Sequence, residues 1–154
     1  MENISSIQDS VKHYYGQVLQ SSNDLKTTAC CSLDAMTPYM QNILNSIHPE
    51  VLEHFYGCGS PLPPALLDQA VLDLGCGSGR DCYLLSKLVG PAGRVIGIDM
   101  TPQQLEIANR HRSWHGKQFG FSNVEFKLGH IEELRASGIE DNSLDLVVSN
   151  CVVN

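Results

Sequence analysis

Cysteine is the residue type whose placement in this chain most invites chemistry. Six occur in 154 residues: Cys30, Cys31, Cys58, Cys76, Cys82 and Cys151. No pair has the two-residue gap of a zinc site. Cys58 stands between Gly57 and Gly59, with little side-chain cover, which favours an accessible thiol over a core one. Cys151 follows the run Leu144-Asp145-Leu146-Val147-Val148-Ser149-Asn150, at the tip of an expected strand. Cys30 and Cys31 adjoin in a polar stretch; adjacent cysteines bond each other only with strain, so either is left to meet a distant thiol. Two or three thiolates meeting in space would hold a soft, thiophilic centre. Cys76 and Cys82 read as small buried side chains.

A second stretch with chemical content is Val71-Leu72-Asp73-Leu74-Gly75-Cys76-Gly77-Ser78-Gly79-Arg80-Asp81. Val71 to Leu74 reads as a buried strand, and Tyr83, Leu84, Leu85, Leu88 and Val89 recur at helical steps. Strand, glycine turn and helix N-terminus together aim free backbone N–H groups at whatever docks above them. The spacing is G-x-G-x-G, not the G-x-G-x-x-G of a dinucleotide site. A second strand, Arg94 to Ile98, ends in Asp99, where an acid would hold a ribose diol; the alternative for Asp99 is a helix cap, but Thr101 already fits that role. After a third strand, Val124 to Leu128, Ile131 could flank an adenine and Glu132 accept from its amine, or Glu132 simply opens a helix.

These groups need elements to position them. Strands alternating with helices imply right-handed crossovers and a parallel sheet, α/β and doubly wound. Asp73 to Gly79, Asp99, Ile131-Glu132 and Asn150-Cys151 then share the carboxyl edge, where such sheets bind ligands. Ahead of the sheet, residues 1–22 predict one amphipathic helix with Ile4, Ile7, Val11, Tyr14, Tyr15 and Val18 on one face; the tyrosines serve a core or a lid. Thr37-Pro38 and Pro49 open two further helices, and Pro61, Pro63 and Pro64 stiffen a connector. Residues 1–64 thus form an N-terminal helical extension and 65–154 a Rossmann-like domain. Thr101-Pro102-Gln103-Gln104 predicts a capping box, and His111, His115, His13 and His54 read as solvated. A buried fourth strand without a following helix suggests a fragment of a longer protein.

Net charge is −7, and the ten Lys and Arg are scattered, which argues against nucleic acid or an anionic membrane as partner. No apolar run reaches a membrane span and no secretory signal is visible, so the expected compartment is the cytoplasm.

Val71 to Asp81 resembles motif I of class I S-adenosylmethionine-dependent methyltransferases, and Val95 to Met100 resembles the motif that follows it. Tyr14-Tyr15-Gly16-Gln17-Val18-Leu19, Phe55-Tyr56-Gly57-Cys58-Gly59, Gly79-Arg80-Asp81-Cys82-Tyr83 and Ser149-Asn150-Cys151-Val152 together look like the arsenite methyltransferase family. The resemblance implies methyl transfer from S-adenosylmethionine to thiolate-bound trivalent arsenic. It implies that Cys58 and Cys151 are arsenic ligands and that Cys30 is a redox partner of Cys58, Cys31 being the less certain of the pair. For the donor it assigns Tyr56, Asp73, Gly75, Cys76, Gly77, Gly79, Arg80, Asp99, Met100, Gln104, Ile131, Glu132 and Asn150. Arsenite or its thiol conjugates would be substrate, and thioredoxin or glutathione would supply reducing equivalents. The residues leave three other readings open: a methyltransferase acting on O, N or C, a nicotinamide-dependent dehydrogenase, and a thiol-rich arsenic-binding module without turnover.

Overall fold

A computed structural model describes residues 4–20, 36–57, 59, 62–63, 65–150 and 152, with side chains from residue 7 onward. Helix α1 (Ile4–His13) runs into a π-helical turn over Tyr14–Val18. Helices α2 (Pro38–Asn45) and α3 (Pro49–Glu53) follow, then strand β1 (Ala70–Leu74), helix α4 (Arg80–Val89), strand β2 (Arg94–Asp99), helices α5 (Pro102–Arg110) and α6 (Arg112–Phe119), strand β3 (Val124–Leu128) and strand β4 (Leu146–Ser149). The sheet has the order β3-β2-β1-β4, every pair parallel. The order reverses between β1 and β4, the switch point at which doubly wound sheets open a crevice beyond the strand ends.

The two-residue period of the strands divides the core into two layers. Val71 and Val95 face helices α2 and α4, joined by Tyr83, Leu84, Leu88 and Val51. Leu72, Ile96 and Ile98 face the other way, against Ile139 and the flanking Leu134 and Leu144. Burying each of these Val, Leu and Ile side chains stabilises the fold by roughly 1.5–3 kcal/mol.

Four expectations need correction. The N-terminal helix ends at His13, and Ile7, Val11 and Val18, expected on its buried face, are exposed, at 50%, 38% and 47%; Leu19 is buried instead. The fourth strand is shorter than the run Leu144 to Asn150, covering Leu146–Ser149, and among the described residues it ends the sheet with Val147 half exposed. Thr101 occupies the cap position of α5, but its side chain caps nothing and no capping box forms. Asp99 Oδ1 takes the Thr101 N–H at 2.8 Å, while Gln104 Nε2 donates to the Tyr15 carbonyl at 3.2 Å. His111 and His115 are buried, not solvated; His13 is exposed, and His54 is half-buried.

Candidate functional site

The glycine turn takes its shape from three left-handed residues, Gly75 (φ +69°), Gly77 (+55°) and Gly79 (+91°), conformations that cost any other L-residue energy. The N–H groups of Gly75 and Cys76 both donate to the Ile98 carbonyl, at 2.8 and 3.0 Å. Gly77 N–H donates to Asp99 Oδ2 at 2.9 Å. The turn is therefore pinned to the tip of β2. Burial raises the Asp99 carboxyl above its ordinary range, against the donors that hold its charge. Helix α4 begins behind Gly79 without a side-chain cap, leaving first-turn N–H groups for a ligand.

Beneath the turn lies a buried cluster of Asp73, Cys76 and Cys82. Cys82 S–H donates to Asp73 Oδ2 at 3.4 Å. Burial first, then the charge of Asp81, pushes the Asp73 carboxyl well up. Burial pushes the Cys76 thiol up to about 11 and the Cys82 thiol up as well. Neither is a thiolate at neutral pH, so both fill space rather than attack. Gly97 admits them: a Cβ there would stand 2.7 Å from Cys82 Sγ and 2.8 Å from Cys76 Sγ. Gly97→Ala should lower stability by about 1–3 kcal/mol, measured by urea unfolding. Cys76→Ala in the same chain should recover part of that loss.

The N-terminal segment lies across this edge. Gln8 Nε2 donates to Glu132 Oε1 at 3.2 Å, beyond β3. Gly16 packs on Thr101 and Gln103, beyond β2. The rings of Tyr15 and Tyr56 lie 5.9 Å apart. Gln104 Oε1 is buried without a hydrogen-bond partner, 3.7 Å from where a Cβ on Gly77 would stand. An acceptor thus faces the space above the turn. Met100 and Ile131 are half-buried along the same edge, and Glu132 is exposed.

Arg80 and Asp81 are both buried and form an ion pair, Nη2 to Oδ1 at 2.7 Å. Arg80 also donates to the Gly59 carbonyl at 2.5 Å and lies 3.4 Å over the Phe55 ring. Asp81 Oδ2 accepts from Asn150 Nδ2 at 2.9 Å. A Cβ on Gly57 would stand 2.9 Å from Asn150 Cγ, and one on Gly75 would collide with Val152. Cys58, Cys151, Cys30 and Cys31 lie outside the described residues. The described neighbours of Cys58 (Gly57, Gly59) and of Cys151 (Asn150, Val152) converge on the glycine turn. Sequence reasoning left out Asp81; the available signal was a charged pair opening an otherwise apolar helix.

A histidine cluster joins α3 to α5 and α6. His48 and His111 stack at 3.7 Å, His111 Nε2 meets Glu50 Oε2 at 2.5 Å, and Arg110 binds Glu50 Oε1 at 2.7 Å. His115 stacks on Tyr83 at 3.5 Å, donates from Nδ1 to the His111 carbonyl and accepts the His48 N–H. Burial brings His115 down to about 4 and, with less force, lowers His48, while the hydrogen bond from His111 lowers Glu50. Between about 6.5 and about 4 the unfolded chain binds the His115 proton and the folded chain does not, so stability falls as pH falls through that window. His48 and Glu50 act in the same direction, whereas Asp73 and Asp99, raised by burial, act in the opposite one. Urea midpoints should therefore decline with acidity less steeply in His115→Gln than in the parent chain.

Three comparisons bear on the edge just described. A family profile described as "Methyltransferase domain" matches residues 68–154. An arsenite methyltransferase of Aquipseudomonas alcaligenes is 53% identical over 147 residues, covering 95% of this chain and 42% of that protein. An arsenite methyltransferase of Homo sapiens is 48% identical over 153 residues, covering 97% of this chain and 41% of that protein. The chain thus spans about two-fifths of the length of the curated relatives it matches. The crystal structure of an arsenic (III) S-adenosylmethionine methyltransferase from Chlamydomonas reinhardtii superposes with a TM-score of 0.74 at 48% identity, over 77% of this chain and 40% of that one.

Proposed function

The chain belongs to the methyltransferase domain family, and from that premise we propose that it serves the methylation of trivalent arsenic with S-adenosylmethionine as donor. The observation that carries the reading is the meeting, on one edge, of the glycine turn with the segments flanking Cys58 and Cys151.

The donor edge fits such a molecule. The unpartnered Gln104 Oε1 offers an acceptor, and among the described residues Gln104 alone stands within 4 Å of a Cβ on Gly77, which leaves the main chain open to close approach. S-adenosylmethionine supplies a sulfonium methyl that a lone pair can take. In this reading the turn Asp73, Gly75, Cys76, Gly77 and Gly79 cradles the donor's polar end. Asp99 and Met100 hold its ribose side, Gln104, Ile131 and Glu132 its base, and Tyr56 and Asn150 flank the reacting end. Arg80 acts from beneath through its ion pair. Cys58 and Cys151, as thiolates, hold arsenic(III) with its lone pair toward that edge, and positioning carries most of the rate. Taking the methyl with its lone pair raises arsenic from the +3 to the +5 state; the Cys30 and Cys58 thiols return those two electrons and close a disulfide, which thioredoxin or glutathione reopens. Residues 1–64 form the extension that carries Cys30 and Cys58, and residues 65–154 the donor-binding part. The compartment is the cytoplasm, where thiols stay reduced; among the described residues no helix is long and apolar enough to cross a membrane.

The test is a turnover assay with arsenite, donor and thiol, read by arsenic speciation. It should be run on this chain and on a chain of the relatives' length. Methylated arsenic supports the proposal. Activity on an O, N or C acceptor that survives Cys58→Ser and Cys151→Ser would replace it with the more general methyltransferase reading.

A further inference from the structure

The Arg80–Asp81 pair, 4% and 3% exposed, lies buried in the first turn of α4. A buried ion pair is weak evidence for stability, because desolvation offsets most of its attraction. Its contacts suggest another use. Arg80 reaches one way, donating to the Gly59 carbonyl at 2.5 Å and stacking 3.4 Å over Phe55. Asp81 reaches the other way, accepting from Asn150 Nδ2 at 2.9 Å, a residue 69 positions later. The two links leave the same helix turn and end on the two segments that flank Cys58 and Cys151 in sequence. Each oxygen of Asp81 has its own partner, Oδ1 both Arg80 nitrogens and Oδ2 the Asn150 amide. One carboxylate therefore ties Gly59, through Arg80, to Asn150 just after β4.

We infer that Asp81, through Arg80 and Asn150, is a positioning residue that sets the spacing of the two thiol-bearing segments. This inference rests on the reading of Cys58 and Cys151 as a joint arsenic site. Asp81 itself touches no reacting atom; its carboxylate holds a frame. Loss of the frame should weaken arsenic binding by roughly 10–100-fold, the range that outer partners of ligand sites show.

The experiment uses the 154-residue chain with Cys30→Ser and Cys31→Ser, treated with dibromobimane, which bridges two thiols held close together. The adduct joining residues 58 and 151 is quantified by peptide mass spectrometry, alongside arsenite and donor affinities. Asp81→Asn removes the charge and keeps the shape. Asn150→Ala cuts the link from its half-buried end and decides the matter should Asp81→Asn lose its circular dichroism. The swap Asp81→Asn with Asn150→Asp returns a donor–acceptor pair and should recover part of the adduct. An adduct that forms in the parent, falls in the single variants and is partly recovered in the swap supports the inference. Equal adduct and equal arsenite affinity in parent and variants overturn it and leave the arsenic site standing. An absence of adduct in the parent overturns the joint-site reading itself, and the positioning role with it.

Discussion

Replacing Cys58 or Cys151 with serine is expected to abolish arsenic methylation and to cut arsenite affinity by more than the roughly 10–100-fold that outer partners contribute. The physical reason is softness: trivalent arsenic prefers sulfur to oxygen, and a hydroxyl at either position leaves a single thiolate to hold it. Serine is close to cysteine in size, and the described surroundings, Gly57, Gly59, Asn150 and Val152, supply no other sulfur. Folding and donor binding should be unchanged, because the turn and its pins on Ile98 and Asp99 belong to other elements. Cys76→Ser and Cys82→Ser provide the contrast. Those thiols are buried against Asp73 and held protonated, so their loss should alter stability and spare arsenite affinity. Arsenic bound per chain after gel filtration, beside calorimetry with the donor, separates the two pairs.

The second large effect concerns Gly79. Its φ of +91° costs an L-residue about 1–2 kcal/mol. A Cβ there would also stand 2.8 Å from the Phe126 ring and 3.2 Å from Ala108 Cβ, which adds about 1–3 kcal/mol of overpacking. Gly79→Ala should then lose roughly 2–5 kcal/mol, a large fraction of the roughly 5–15 kcal/mol that holds a domain together. Gly120 is the control: its φ is +82°, but a Cβ there meets none of the described residues within 4 Å, so the backbone cost applies without a clash. Gly120→Ala should lose about 1–2 kcal/mol and keep donor affinity. Gly79→Ala should lose both, because the same residue starts α4 and shapes the turn. Urea unfolding and donor calorimetry on the two variants give the comparison.

What could be read from the chain beforehand followed from local rules. Val71 to Leu74, the glycine spacing and the periodic Tyr83 to Val89 fix β1, the turn and α4 without reference to any distant residue. The parallel order then brings Asp99, Ile131 and Asn150 to one edge, since right-handed crossovers allow little else. Features set by long-range contacts were not legible. Thr101 has the local pattern of a cap, yet Asp99 captures its N–H and Tyr15 captures Gln104. His111 and His115 sit in a weakly periodic stretch, and the arrival of His48 and Glu50 at the start of α3, with the Tyr83 ring from α4, buries them. The apolar stripe of residues 1–22 predicts burial, but the described contacts of this segment with the rest of the chain include those of Gln8, Tyr15 and Gly16 instead. Asp81 becomes meaningful only when Asn150, far along the chain, meets it.

The central claim is that sulfur from two distant stretches clasps one arsenic atom above the glycine turn. Arsenic-edge X-ray absorption on the arsenite-loaded chain tests it most directly. The account predicts two protein sulfurs beside one further ligand in the parent, one protein sulfur in Cys58→Ser and likewise in Cys151→Ser, and a shell untouched in Cys76→Ser. A shell that is unchanged in both Cys58→Ser and Cys151→Ser would contradict it.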